Sequence, residues 1–335
     1  AQRLRKLGAL ISDELLISKE KVEIASSICK VDLISDLVNE FPELQGIMGG
    51  HFAKTQGFDN DICLAIREHY LPIGPETKTP KKPYSVTLAM SDKLDTLSAF
   101  FSINLKPTSS KDPFALRRSA IGLIRLIVEN KLEIKLKDII NYSFVLFSEQ
   151  DMNFDIKLAQ QELYSFISDR LRFYMKEKNI RPDIIECSMS SYNTDQIYKI
   201  FNKALILNKL IDRNIGQDII FSYKRASNIL NDEVKKNKLE LSETTDPGLF
   251  KNESEKKLYK KIQEIRKYFT SLGSGENCEK TLEVLAEAKI EVSNFFEQVV
   301  VNDDDETLKK NRLELLQLLC KTFNNYINFS NIEST

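Results

Sequence analysis

The chain has 335 residues, with 48 Lys and Arg against 49 Asp and Glu and a formal net charge of −1, which excludes bulk attraction to a polyanion and leaves any nucleic-acid contact to local basic patches. Two domains are expected at this length, since single cores stop growing near ~250–300 residues. Gly and Pro are scarce at 11 and 9, and 29% charge is interspersed along amphipathic stretches, which predicts an all-α chain.

The chain begins at Ala1 inside an amphipathic helix with Leu4, Leu7, Ile11 and Leu15 three or four apart, and so reads as a piece of a longer polypeptide. The first residues lack a signal peptide's apolar core, and no stretch approaches the ~18–20 apolar residues that span a bilayer. A soluble, cytoplasmic protein without a membrane partner is expected. The first region runs to about Leu146. Within it, Pro72 to Pro83 holds four of the nine prolines and predicts an exposed, semi-rigid loop. A second break, Lys106 to Pro113, ends with Asp112 placed to cap a helix from Phe114 to about Asn130. That helix sets Leu116, Ala120, Leu123 and Ile127 on one stripe and leaves Arg117, Arg118 and Arg125 as a candidate basic patch.

From Phe154 onward the pattern is plainer. Leu163, Ile167, Leu171 and Tyr174 mark one helix, and breaks at Thr245 to Gly248 and Gly273 to Asn277 separate further long ones. The last helix, about Asp305 to Tyr326, turns Leu308, Leu315, Leu316, Leu319 and Phe323 to one side, and Asp303, Asp304 and Asp305 sit at its positive end as capping groups. The second half therefore reads as a helical bundle.

Two histidines, His51 and His69, sharply limit acid–base, triad and metal chemistry. The five cysteines are far apart, form no C-x-x-C pair, and read as reduced, mostly buried thiols. No phosphate-binding glycine loop or nucleophile elbow occurs, and Gly46 to Gly50 reads as a tight turn between helices. Asp32, His51, His69, Asp92 and Asp95 could gather into a divalent-metal site on an inner face, or could serve as ordinary caps and ion pairs. Candidate RNA contacts are Lys106 with Lys111, Arg117 with Arg118 and Arg125, Lys224 with Arg225, Lys235 with Lys236 and Lys238, and Lys309 with Lys310 and Arg312. Phe114, Phe221 and Tyr223 lie near some of them and could stack on unpaired bases or pack in the core.

Several stretches carry a resemblance: Glu40-Phe-Pro-Glu-Leu-Gln-Gly-Ile-Met-Gly49, His51-Phe-Ala53, Glu68-His-Tyr-Leu-Pro72, Ala89-Met-Ser-Asp-Lys-Leu-Asp-Thr-Leu97, Pro107-Thr-Ser-Ser-Lys-Asp-Pro-Phe-Ala-Leu-Arg-Arg118 and Lys224-Arg-Ala-Ser-Asn-Ile-Leu230. In this order they resemble the β subunit of the two-subunit glycyl-tRNA synthetases, here its C-terminal half. The resemblance implies an HD-like helical domain over residues 1–146, then a helical linker and DALR-like anticodon-binding bundle over 147–335. Phe295 to Glu306 and Asn311 to Leu316 are similar to the end of a DALR domain.

Active HD domains bind metal through a histidine, a His-Asp pair and a later Asp. Asp92 resembles that later Asp, but Lys30-Val31-Asp32 stands where the pair would fall, and valine offers a metal no lone pair. Asp32, His51, His69 and Asp92 thus read as a degenerate remnant holding no metal, and no residue takes a catalytic role. What the resemblance implies is tRNA-Gly binding through Lys111, Arg117, Arg118, Lys224, Arg225 and Arg312, within an α2β2 heterotetramer. There ATP and Mg would be bound, and glycylation carried out, at the α subunit. The alternatives are an HD-type metal-dependent phosphohydrolase, or a docking region inside a larger subunit.

Overall fold

A computed structural model of the chain describes residues 1–108, 111–150, 154–190, 195–237, 240–242, 244–272 and 276–333. It is all-α, with sixteen α-helices and no strand among the described residues. The chain divides into two compact units, the first comprising Ala1–Met175 with Asp195–Lys199, the second Lys176–Thr194 with Ile200–Thr335. No helix among the described residues is long and apolar enough to cross a membrane. All five cysteines are free and buried.

The first unit contains α1 (Gln2–Glu14), α2 (Lys19–Ile28), α3 (Asp36–Glu40), α4 (Ile47–Thr55), α5 (Asn60–Glu68), α6 (Pro83–Ser102), α7 (Leu116–Glu129), α8 (Leu136–Ser148) and most of α9 (Ile156–Glu177). Helix α6 is buried nearly all round, with Leu88, Leu94 and Leu97 inside, because α1, α2, α5, α7 and α8 all pack against it. Leu4, Ala25, Cys29, Ala53, Ile62, Ile66 and Leu88 close the core between them. The sequence suggests a boundary near residue 146, whereas the compact unit runs on to Met175. Contacts made by α9 explain the extension: Phe166 meets Phe101 at 5.4 Å, Lys137 lies 4.7 Å over the Tyr164 ring, and Lys106 pairs with Glu162.

Three expectations change in detail. Asp112 does cap α7, accepting from the N–H groups of Leu116 (2.8 Å) and Arg117 (3.0 Å). The helix nevertheless starts at Leu116 and not Phe114, because Ala115 takes a left-handed conformation at φ 54°. The proline-rich segment 72–83 is less exposed than its composition suggests, with Thr79 and Pro80 buried. Gly46 to Gly50 does not form a separate turn but opens α4: Gly46, at φ 76°, is its N-cap, and Gly50 lies so close to Cys63 and Arg67 of α5 that a β-carbon would collide with them.

The second unit holds α10 (Pro182–Met189), most of α11 (Ile197–Leu210), α12 (Asn214–Asn237), α13 (Glu253–Ser271), α14 (Cys278–Ala286), α15 (Ala288–Gln298) and α16 (Glu306–Asn324). Helix α12 packs on α14, α15 and α16, and α13 on α15 and α16. Tyr223, Phe323 and Phe329 meet at ring separations of 5.8 to 6.3 Å, and Asn324 donates to the Tyr223 hydroxyl at 3.0 Å. Asp305 caps α16 through the N–H groups of Thr307 and Leu308, the role expected for the acidic run, while Asp303 is taken up by Arg312.

Candidate functional site

Of the ligand-type residues, the structure brings His69 and Asp92 together on Lys30, sets Asp32 nearby at the start of α4, and leaves two out. His69, just past the end of α5, is fully buried, and its Nδ1 lies 2.5 Å from the Ile66 carbonyl oxygen. That contact places the ring proton on Nδ1, so Nε2 presents a lone pair. Lys30 fills the space in front of it: its Nζ lies 2.9 Å from His69 Nε2, 2.6 Å from Asp92 Oδ1 and 3.9 Å above the Tyr70 ring. Burial, helped by the Lys30 charge, lowers the His69 pKa to about 4, so the imidazole is neutral. Burial opposes the Lys30 charge too, but Asp92 and Tyr70 more than offset it, and its pKa stands above the usual lysine value.

Asp32 is also fully buried, and its Oδ2 accepts from the N–H groups of Gly46 (2.7 Å) and Gly49 (3.1 Å), anchoring the start of α4. Its Oδ1 has no hydrogen-bond partner. His51 lies exposed on α4, and Asp95 pairs with Arg3 at 2.7 Å. Among the described residues no three His, Cys, Asp or Glu side chains are grouped to hold a metal. A divalent ion does not fit this arrangement, since an ammonium already stands between the imidazole and the carboxylate. Val31 is 51% exposed. The residue that settles the chemistry is thus its neighbour Lys30, and a lysine beside the expected ligand position was the signal to read.

A cleft of about 430 Å³ opens beside this cluster, lined among others by Tyr70, Pro72, Asp92, Lys93, Arg118 and Ser119. Lys93 is buried and donates to the Tyr70 carbonyl at 3.0 Å; burial lowers its pKa to about 8, against the pull of Asp92. Arg118 is exposed at the cleft. Lys111 is likewise exposed, and Arg117 donates to the Thr108 carbonyl, so Lys111, Arg117 and Arg118 flank one loop and helix start. Arg125 does not join them. Its guanidinium donates to the carbonyls of Gly74, Pro75 and Thr77 and to Glu129, fastening the proline-rich segment. The Phe114 ring stacks on Phe100 at 4.2 Å.

In the second unit Lys224 and Arg225 sit side by side on α12, each partly exposed. The Arg225 guanidinium lies 5.5 Å from the Phe221 ring centroid and 4.7 Å from that of Phe296 on α15, and Phe221 is itself exposed. Tyr223, by contrast, belongs to the core. Arg312 corrects the sequence reading most clearly. It is 4% exposed, donates to Glu255 at 2.9 Å, to Asp303 at 2.6 Å and to the Val300 carbonyl at 2.9 Å, and so ties α16 to α13 instead of facing solvent. Lys309 is paired with Glu233 at 3.0 Å. Lys238 and the side chains of Lys235 and Lys236 lie outside the described residues.

Comparison with known proteins adds a family to this geometry. Residues 1–190 match the family described as glycyl-tRNA synthetase beta subunit, and residues 219–334 match the DALR anticodon binding domain. Among curated relatives, the glycine–tRNA ligase beta subunit of Rhodospirillum centenum is 36% identical over 99% of this chain and 47% of its own length. That of Rickettsia canadensis is 35% identical over 92% of this chain and 44% of its own, and that of Dinoroseobacter shibae 31% over 96% and 48%. The chain spans about half the length of the curated relatives it matches.

Proposed function

The chain belongs to the glycyl-tRNA synthetase beta-subunit family, and from that premise we propose that it holds tRNA-Gly for a glycine–tRNA ligase without itself making or breaking bonds. The observation that carries this reading is the Lys224–Arg225 pair with Phe221 and Phe296, on the bundle that matches an anticodon-binding domain. A guanidinium stacked on exposed aromatic surface beside a second cation offers both a base platform and a phosphate contact, which suits the unpaired nucleotides of an anticodon loop. In the first unit Lys111, Arg117 and Arg118 supply a second, smaller group. ATP, Mg and glycine belong, in this proposal, to a separate α subunit, with two copies of each subunit assembled in the cytoplasm.

Electrophoretic mobility shift with a tRNA-Gly transcript tests the site assignment. Lys224→Ala/Arg225→Ala should weaken binding roughly ten- to thirty-fold and flatten the dependence of log K on log salt by about one to two contacts. Wild-type affinity in that variant would overturn it. The phosphohydrolase alternative finds little support, because the imidazole and carboxylate it needs are already engaged with Lys30.

A further inference from the structure

We propose that the Lys30 ammonium is a built-in cation of the first unit, standing in for a divalent metal and barring one from the same donors. Three groups of the kind that surround a cation converge on it: an imidazole lone pair from the end of α5, a carboxylate from the middle of α6, and the face of Tyr70. Lys30 itself follows the end of α2. One charge therefore fastens three helices that already share a core. Because His69 Nδ1 is committed to the Ile66 carbonyl, Nε2 turns its lone pair to this ammonium. A metal needs its nitrogen and oxygen ligands at roughly 2.0–2.2 Å, and an Nζ within 3 Å of both atoms occupies that room and repels a second cation. Asp32 lies close enough to act on His69 electrostatically and keeps Oδ1 unpartnered, so a further donor remains beside the cluster should the lysine be removed. A covalently held charge also makes the site indifferent to metal supply. This inference does not depend on the tRNA reading.

The 335-residue chain, with Lys30→Ala and Lys30→Met, is melted in EDTA and with added Zn²⁺, and its absorption is recorded with Co²⁺. The wild type should keep the same Tm in both conditions and give no Co²⁺ d–d bands. Both variants should melt roughly 5–10 °C lower. Lys30→Ala should recover a large part of that loss with Zn²⁺ and show Co²⁺ bands, and a second change, His69→Ala, should abolish both responses. A wild type destabilised by EDTA, variants that melt with the wild type, or an Lys30→Ala chain that no Zn²⁺ restabilises would each overturn the proposal. If Lys30→Ala does not fold, Lys30→Met, which keeps much of the aliphatic stem, decides the stability question, and the wild-type EDTA and Co²⁺ results decide the cation question.

Discussion

Arg312 and Arg225 are the same side chain in opposite circumstances, and their partners decide what each can do. Arg312 is buried against Glu255, whose other oxygen accepts from the N–H groups of Lys251 and Asn252 at the start of α13. Removing one member of such a network leaves a buried charge unpaired, at a cost of about 3–5 kcal/mol. Arg312→Ala should therefore lower the urea midpoint strongly while the fraction that stays folded binds tRNA-Gly as before; a loss of affinity without a loss of stability would return Arg312 to the RNA surface. His69 gives a pH signature. Its pKa of about 4 in the folded chain lies below the ordinary 6.5, so the unfolded chain takes up a proton the folded one refuses. Stability from this group is full above pH 6.5 and is lost as pH falls toward 4, by roughly 3 kcal/mol in all. His69→Gln should flatten the pH dependence of unfolding in that window, and an unchanged slope would count against a neutral His69. Neither role was legible from spacing, because Lys30 with His69, and Arg312 with Glu255, are joined only by the fold.

At the scale of the element, α7 shows what sequence does reveal. Its apolar stripe and the Asp112 cap were readable because both are local, as was the succession of helices throughout. Its start lies two residues beyond the one the pattern predicts, since nothing in the composition announces the left-handed Ala115. Periodicity groups Arg125 with Arg118, yet Arg125 reaches back some fifty residues to three carbonyls of segment 74–77, while Thr79 and Lys81 bond Glu129. The C-terminal half of α7 is thus a clasp for the proline-rich segment. Arg125→Ala should cost about 1–3 kcal/mol and speed tryptic cleavage at Lys78 and Lys81. Arg125→Lys should not restore protection, because a single ammonium cannot reproduce a planar fork over several carbonyls. Equal cleavage rates in wild type and Arg125→Ala would refute the clasp.

For the whole molecule, a net charge of −1 means that the tRNA binding proposed above cannot draw on overall charge. It must be the sum of separate patches, and the structure has thinned the candidates: Arg125, Lys309 and Arg312 are engaged internally, while Lys111 and Arg118 in the first unit and Lys224 and Arg225 in the second remain exposed or partly so. Patches that share no partner should contribute independently, to within about 0.5 kcal/mol. Lys111→Ala/Arg118→Ala and Lys224→Ala/Arg225→Ala should each weaken tRNA-Gly binding, and the quadruple variant should lose the product of the two factors, with the salt slope falling by the sum. Measured over a range of salt, a quadruple variant no weaker than the second-unit double variant would mean that the first unit leaves tRNA untouched. Its basic helix start would then be a protein surface, and binding would rest with the bundle alone.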